Sequence, residues 1–304
     1  MKWLARWFSP KQPPPATSVP APRVAAAPAV PPAAAPAAEE PGVPPDFLPW
    51  LLGCGALTDA PVSADERAAL TAVDKVLALP ALPDELLPRA ASVIPQLLAM
   101  LRQTSLPVGA LTQQVQKDVV LTAEVLRLAS SPFYRASSEV TDLGKAIQMI
   151  GEAGLQTVVA RVVLKPIYDA APGPLSALAG SRLWDHSERL AACAAEAARE
   201  AGLAPFDGYI AGLLHDAGWT IALRVIDRAG VAVSLPASAL FADKLERRAH
   251  RLFAQAAARW NITPLFAAFA ADARSQPLAQ SEHPLAQALR QAAPEALATL
   301  TRPA

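Results

Sequence analysis

The stretch Gly212-Leu213-Leu214-His215-Asp216-Ala217-Gly218 is the part of this chain that decides the fold. An apolar run that begins near Tyr209 leads into it, which predicts that the adjacent His and Asp stand at the end of a helix. Gly218 is placed to end that helix. An imidazole nitrogen beside a carboxylate oxygen suits a first-row divalent metal, and the partial negative charge of a helix C-terminus favours a cation there.

A second histidine, His186, lies 29 residues before His215. It shares one helical face with Leu190 and Cys193, so its side chain is predicted to point inward and to need a polar partner. Either His215 or Asp216 could supply that partner. A buried His–Asp pair is more often a structural hydrogen bond than a metal site, so both interpretations stay open at this point.

The rest of the chain favours helices as well. Ala and Leu are abundant and there are three Tyr, a composition typical of helices rather than strands. Residues 158–163 contain a β-branched cluster that has the propensity of a strand. The apolar pattern of residues 147–168 is too long for one strand and keeps helical spacing, so a helix is predicted. The predicted fold class is all-α, a multi-helix bundle.

Three segments differ in composition and define the predicted domains. Residues 10–45 hold 13 prolines and almost no large apolar side chains, so residues 1–45 are predicted to be a disordered Pro/Ala-rich tail. Residues 46–77 are predicted to be a pre-domain helical segment, in which Ser63 and Glu66 have the spacing of a capping box. Residues 78–300 are predicted to be the helical domain.

The first eight residues form a short aromatic and basic peptide. Trp3, Trp7 and Phe8 fall at helical spacing, with Lys2 and Arg6 beside them. One interpretation is a weak contact with a membrane surface. The other is a frayed terminus with chance aromatics, because two helical turns bury little area.

Charge and hydropathy exclude several classes of function. The chain has 27 basic and 27 acidic residues and a formal net charge of zero, and it has no long basic stripe, so no nucleic-acid partner is expected. No apolar stretch is expected to span a bilayer. The N-terminus is too short for the apolar region of a signal peptide. A cytoplasmic location is therefore predicted.

Five elements, in this order, resemble the HDOD family, whose members are relatives of the HD-superfamily metal-dependent phosphohydrolases. They are LPALP at 79–83, VLRLASSPFY at 125–134, AIQMIG at 146–151, LWDHS at 183–187 and GLLHD at 212–216. The resemblance covers roughly residues 75–275. It implies a helical bundle of HD/HDOD type and a role in bacterial signal transduction without the full catalytic set.

The resemblance also implies a metal site that is vestigial or weak. Active HD enzymes hold their metal with a His, a His–Asp pair and a further Asp, and His186, His215 and Asp216 match the first three. No acid stands at the expected place of the fourth, in residues 286–292, and Asp272 or Asp227 is the candidate replacement. Without that carboxylate the site lacks the charge to hold a cation and activate water, so no cofactor is expected.

Two further residues belong to the candidate site. Trp219 stands where a Lys or Arg could serve a phosphate, and its indole offers stacking and one donor but no positive charge. His250 matches a recurrent histidine of the family. The other interpretation of His250 is a surface pair with Glu246, which precedes it by one helical turn.

The expected function is a non-catalytic regulatory module that signals through protein partners. The alternative is a metal-dependent phosphohydrolase that acts on a nucleotide or cyclic dinucleotide. In that alternative His186, His215 and Asp216 bind the metal. Metal stoichiometry, and its loss together with phosphodiesterase activity in His215→Ala, separates the two hypotheses.

Overall fold

A computed structural model describes residues 47–87, 90–101, 107–131, 142–168 and 173–301. In this part of the chain helices dominate, and the β pairing found there is one isolated parallel bridge between Thr58 and Ser238. The all-α fold class is confirmed. The predicted tail at residues 1–45 lies outside the described residues.

The helices follow one another in a simple order along the chain. They are α1 (Phe47–Leu52), α2 (Ala64–Leu77), α3 (Ala90–Leu101), α4 (Val108–Val115), α5 (Val119–Ala129), α6 (Leu143–Leu164), α7 (Pro174–Glu200), α8 (Pro205–His215), α9 (Ala217–Arg228), α10 (Ala239–Ala257), α11 (Pro264–Ser275) and α12 (Pro284–Thr301). Helices α3, α4 and α5 pack against α6, and α6 in turn contacts α8.

Helix α7 is the centre of the bundle. It has 27 residues and packs against α1, α8, α9 and α12. Its first turn is capped from α9, because the carboxylate of Asp227 accepts hydrogen bonds from the backbone nitrogens of Leu175 at 3.0 Å and Ser176 at 2.8 Å. These bonds satisfy amides that the helix itself leaves free and hold α9 against α7.

Helices α8 and α9 are separated by Asp216 alone, since α8 ends at His215 and α9 begins at Ala217. Helix α8 begins one turn before its predicted start. The prediction that Gly218 ends the helix is wrong, because Gly218 lies in the first turn of α9. A Cβ at this position would overlap the backbone oxygen of Ala249 in α10. The missing side chain therefore serves the close approach of two helices.

Helix α6 contains the β-branched cluster, and the helix predicted there is confirmed. It differs from the prediction in starting at Leu143 and in breaking at Gly151, where φ is 65° and ψ is −171°. By length and composition Leu143–Ile167 is one candidate membrane span among the described residues, with a mean hydropathy of 1.2, although none was expected from the sequence. Half of the most apolar 18-residue stretch of this segment is buried in the fold, so its apolar side chains contribute to the core.

Helix α2 is fastened to α10 through a shared carboxylate. The predicted capping box is confirmed, since Ser63 Oγ accepts from the backbone nitrogen of Glu66 at 3.1 Å and Glu66 accepts from that of Ser63 at 2.7 Å. The same carboxylate accepts from the backbone nitrogen of Ser238 at 2.7 Å and from its hydroxyl at 2.9 Å. Further along, Arg248 forms a two-pronged ion pair with Asp74 at 2.9 and 2.7 Å.

Replacement of Glu66 by Gln is expected to lower the free energy of unfolding by about 1–3 kcal/mol at pH 7, because the buried amide of Ser238 and the amide of Ser63 lose a charged acceptor. Burial alone would raise the pKa of Glu66, but the hydrogen bonds from Ser238 and Ser63 outweigh it and hold the pKa below its ordinary value. A group with a depressed folded pKa stabilises the fold above its unfolded pKa and loses that contribution as the pH falls through the folded pKa.

Urea unfolding of both proteins from pH 7 down into the acid range measures this effect. The difference between the wild type and Glu66→Gln should shrink as the pH falls below the ordinary pKa of a glutamate. The control is Asp65→Asn at the exposed neighbouring position, which should change stability by no more than about 0.5 kcal/mol. A Glu66→Gln difference that is independent of pH contradicts the assignment.

Candidate functional site

The pair formed by His186 and Asp216 lies between α7 and the junction of α8 with α9. Asp216 is 1% exposed and His186 is 5% exposed. His186 Nδ1 lies 2.6 Å from Asp216 Oδ2, and the hydroxyl of Ser187 donates to the same oxygen at 3.0 Å. His186 therefore points inward, as its helical face predicts, and its partner is Asp216.

Asp216 is a buried carboxylate stabilised by its neighbours. Burial alone would raise its pKa, but the adjacent His186 and His215 outweigh burial and hold the pKa of Asp216 far below its ordinary value. Next to the pair, the hydroxyl of Tyr168 donates to the backbone oxygen of Leu213 at 2.5 Å. Burial, together with the charge of Asp216, raises the pKa of Tyr168. The carboxylate thus stays ionised while Tyr168 stays neutral.

His215 extends the row of polar side chains towards α10. Its Nδ1 lies 3.7 Å from Asp216 Oδ1, and its Nε2 lies 3.4 Å from His250 Nδ1. His250 is 6% exposed, and burial with the nearby His215 lowers its pKa to about 4, so its imidazole is neutral at pH 7. The interpretation of His250 as a surface partner of Glu246 is wrong, because its ring is buried against His215.

The two acids considered as a fourth ligand have other partners. Asp272 accepts hydrogen bonds from Gln276 Nε2 at 3.2 Å and from the hydroxyl of Ser281. Its negative charge only partly offsets the lowering of the His250 pKa by burial and by His215. Asp227 caps the first turn of α7. Four of the predicted site residues form one connected row, namely His186, Asp216, His215 and His250.

The described side chains around the pair do not assemble the ligand set of a divalent cation. The hydrogen bond to Asp216 occupies Nδ1 of His186 and leaves Nε2 free, which by itself is compatible with metal ligation. Asp216 Oδ2, however, accepts from both His186 and Ser187. Within the described residues, no three His, Cys, Asp or Glu side chains are grouped so that they could hold a metal ion. What the arrangement does is join α7 to the start of α9 through a buried charge.

Aromatic rings border the same histidine. The ring centroid of Phe47 lies 4.6 Å from that of His186, and the Trp50 centroid lies 5.9 Å from it. Trp219 is buried and stacks obliquely on Phe47, with centroids 5.3 Å apart. Phe47 and Trp50 were not among the residues predicted from the sequence to belong to the site. The available signal was an aromatic pair at helical spacing in the segment before the domain.

Comparison with known proteins gives one family and two similar structures. A family model for the HDOD domain matches residues 87–272, more than half of the chain. A crystal structure of an HDOD domain protein of unknown function from Geobacter sulfurreducens is 21% identical, with 77% of this chain and 78% of that chain covered and a TM-score of 0.49. A protein from Shewanella amazonensis, provisionally named a phosphohydrolase, is 22% identical, with 78% and 82% covered and a TM-score of 0.44. No curated protein matches the chain.

Proposed function

The chain belongs to the HDOD family, and on that premise we propose that it is a regulatory module which acts through protein–protein contacts and does not hydrolyse phosphodiesters. The observation that carries this proposal is that the buried carboxylate of Asp216 serves as the shared hydrogen-bond acceptor of His186 and Ser187. Asp216 Oδ2 accepts from His186 Nδ1 at 2.6 Å and from the Ser187 hydroxyl at 3.0 Å, and the carboxylate is buried.

A hydrolytic metal site has requirements that this pair does not meet. The cation needs several ligands and an open position at which water is activated. Here Ser187 donates to the same carboxylate oxygen as His186, and aromatic rings border the histidine. The candidate fourth acids are engaged elsewhere. These contacts support a structural role for the pair, and recognition of a partner is the function that remains for the surface.

The expected partner is a protein of a bacterial signalling pathway, and the expected location is the cytoplasm. The net charge of zero supports a protein partner over a nucleic acid. Because α1 packs on α7 and α2 packs on α10, we propose that the segment at 46–77 works as one unit with the domain at 78–300. A membrane contact through Trp3, Trp7 and Phe8 stays a prediction, since these residues lie outside the described part of the chain.

The purified chain, loaded with excess Mn²⁺, Fe²⁺ or Zn²⁺ and then desalted, is expected to retain far less than one metal ion per chain. It should hydrolyse a generic phosphodiester no faster than His215→Ala does. The matched control is His283→Ala, which removes a histidine outside the connected row. Elemental analysis and a chromogenic phosphodiester measure the two quantities. Stoichiometric metal that is lost with hydrolysis in His215→Ala, but not in His283→Ala, refutes the proposal.

The same proteins test the recognition half of the proposal. A partner captured from cell lysate by residues 46–304 should bind the wild type and His215→Ala with the same affinity in a purified assay, because the pair serves the interior of the fold. Binding that requires added metal, or that is lost in a folded His215→Ala protein, would instead indicate that the site takes part in recognition.

A further inference from the structure

The rings that border the pair belong to a very short helix. Helix α1 has six residues and packs on α7. Its Leu48, Leu51 and Leu52 are buried, while Phe47 and Trp50 are half-buried with their rings next to His186. Helix α1 therefore lies over the histidine of the pair and shields it from solvent.

The last carbonyl groups of α1 accept hydrogen bonds from the residues that follow the helix. Gly53 has a φ of 62°. Its backbone nitrogen donates to the backbone oxygen of Trp50 at 3.2 Å, and the backbone nitrogen of Cys54 donates to the backbone oxygen of Pro49 at 3.0 Å. This is the pattern of a Schellman motif. From α7, Arg182 Nη1 donates to the oxygen of Leu51 at 3.2 Å. Apolar burial and this bond hold α1 in place.

The free energy that docks α1 is the difference of two similar terms. Burial of three leucines and two half-buried aromatics favours docking. Ordering six residues that have no stable helical state of their own opposes it, because isolated helices of this length do not form in water. Helix α7, in contrast, is packed on several sides by other helices. Local release of α1 should therefore require much less free energy than unfolding of the bundle.

We propose that α1 is a removable cover on the His186–Asp216 pair. In the closed state, which is the structure described above, Phe47 and Trp50 exclude solvent from the imidazole of His186. When α1 unfolds locally, His186 and Trp219 become accessible while α7, α8 and α9 stay folded.

Native-state hydrogen exchange at low denaturant concentration tests the proposal in the wild-type chain. The amides of Gly53 and Cys54 are expected to exchange about tenfold faster or more than the amides of residues 187–198 in α7, through an opening that is insensitive to denaturant. If both sets of amides exchange in one common step that depends on denaturant, α1 opens only when the bundle unfolds, and the proposal is wrong.

Chemical labelling of His186 tests what α1 covers. In the double variant Phe47→Ala with Trp50→Ala, modification of His186 by diethyl pyrocarbonate, followed by peptide mass spectrometry, should be about tenfold faster than in the wild type. His283, which is half-buried and away from α1, is the internal reference and should not change. Trp260→Ala, which removes a buried aromatic between α10 and α11, is the control for general destabilisation.

The variant Arg182→Ala keeps both aromatics and removes the hydrogen bond to Leu51, so it serves if the double variant does not fold. It should accelerate exchange at Gly53 and Cys54 and labelling of His186 together, with residues 187–198 unchanged. An unchanged rate of His186 labelling in a folded variant of either kind, or an equal acceleration in Trp260→Ala, overturns the proposal.

Discussion

Replacement of Asp216 by Ala is expected to lower the free energy of unfolding by about 3–5 kcal/mol, because each buried donor left without its acceptor costs about 1–3 kcal/mol. The carboxylate accepts from His186 and Ser187 in a site with almost no solvent. Without it, both donors stay buried and unpaired, and a cavity opens between α7 and α9. Urea unfolding at pH 7 measures the change.

Two controls separate this effect from simpler ones. Asp216→Asn keeps the shape and one acceptor oxygen but loses the charge, so a smaller loss of about 1–3 kcal/mol is expected. Asp243→Ala removes an exposed ion pair with Arg247 on α10, which should change stability by less than about 1 kcal/mol. If Asp216→Ala is as mild as Asp243→Ala, the carboxylate is not structural and is free to serve as a ligand.

Gly218→Ala is the second substitution for which a large effect is expected, with a loss of about 3 kcal/mol or more, or failure to fold. A Cβ at Gly218 would overlap the backbone oxygen of Ala249 and press on Phe253. A backbone atom cannot turn away as a side chain can, so α9 and α10 would have to separate. Thermal and urea unfolding measure the loss.

The matched control is Gly109→Ala in α4, where a Cβ meets open space. There the substitution should be neutral or stabilise by up to about 1 kcal/mol, because Ala favours helices. Equal effects at the two positions would mean that α9 and α10 can move apart freely. Gly218 also matters for the candidate functional site, since it follows Asp216 by two residues and its contact, Ala249, precedes His250. Separation of the two helices should therefore lengthen the contact between His215 and His250.

Local patterns predicted much of what the structure contains. The helical spacing of α6 overrode its β-branched composition, and the spacing of Ser63 and Glu66 predicted a real capping box. The helical face of His186 predicted an inward side chain with His215 or Asp216 as its partner, and the structure shows that the partner is Asp216. Motifs in the right order identified the family. In each case the information lies within one or two helical turns, or in a motif that keeps its residues together.

The sequence by itself therefore determined the helices, the family and the inward direction of His186, because periodicity and motif order are properties of neighbouring residues. Only the tertiary structure decided the role of Gly218 against Ala249, the capping of α7 by Asp227, and the position of Phe47 beside His186. These contacts join residues far apart in the chain. A glycine that permits close packing and a glycine that ends a helix look the same in sequence, and packing between distant helices tells them apart.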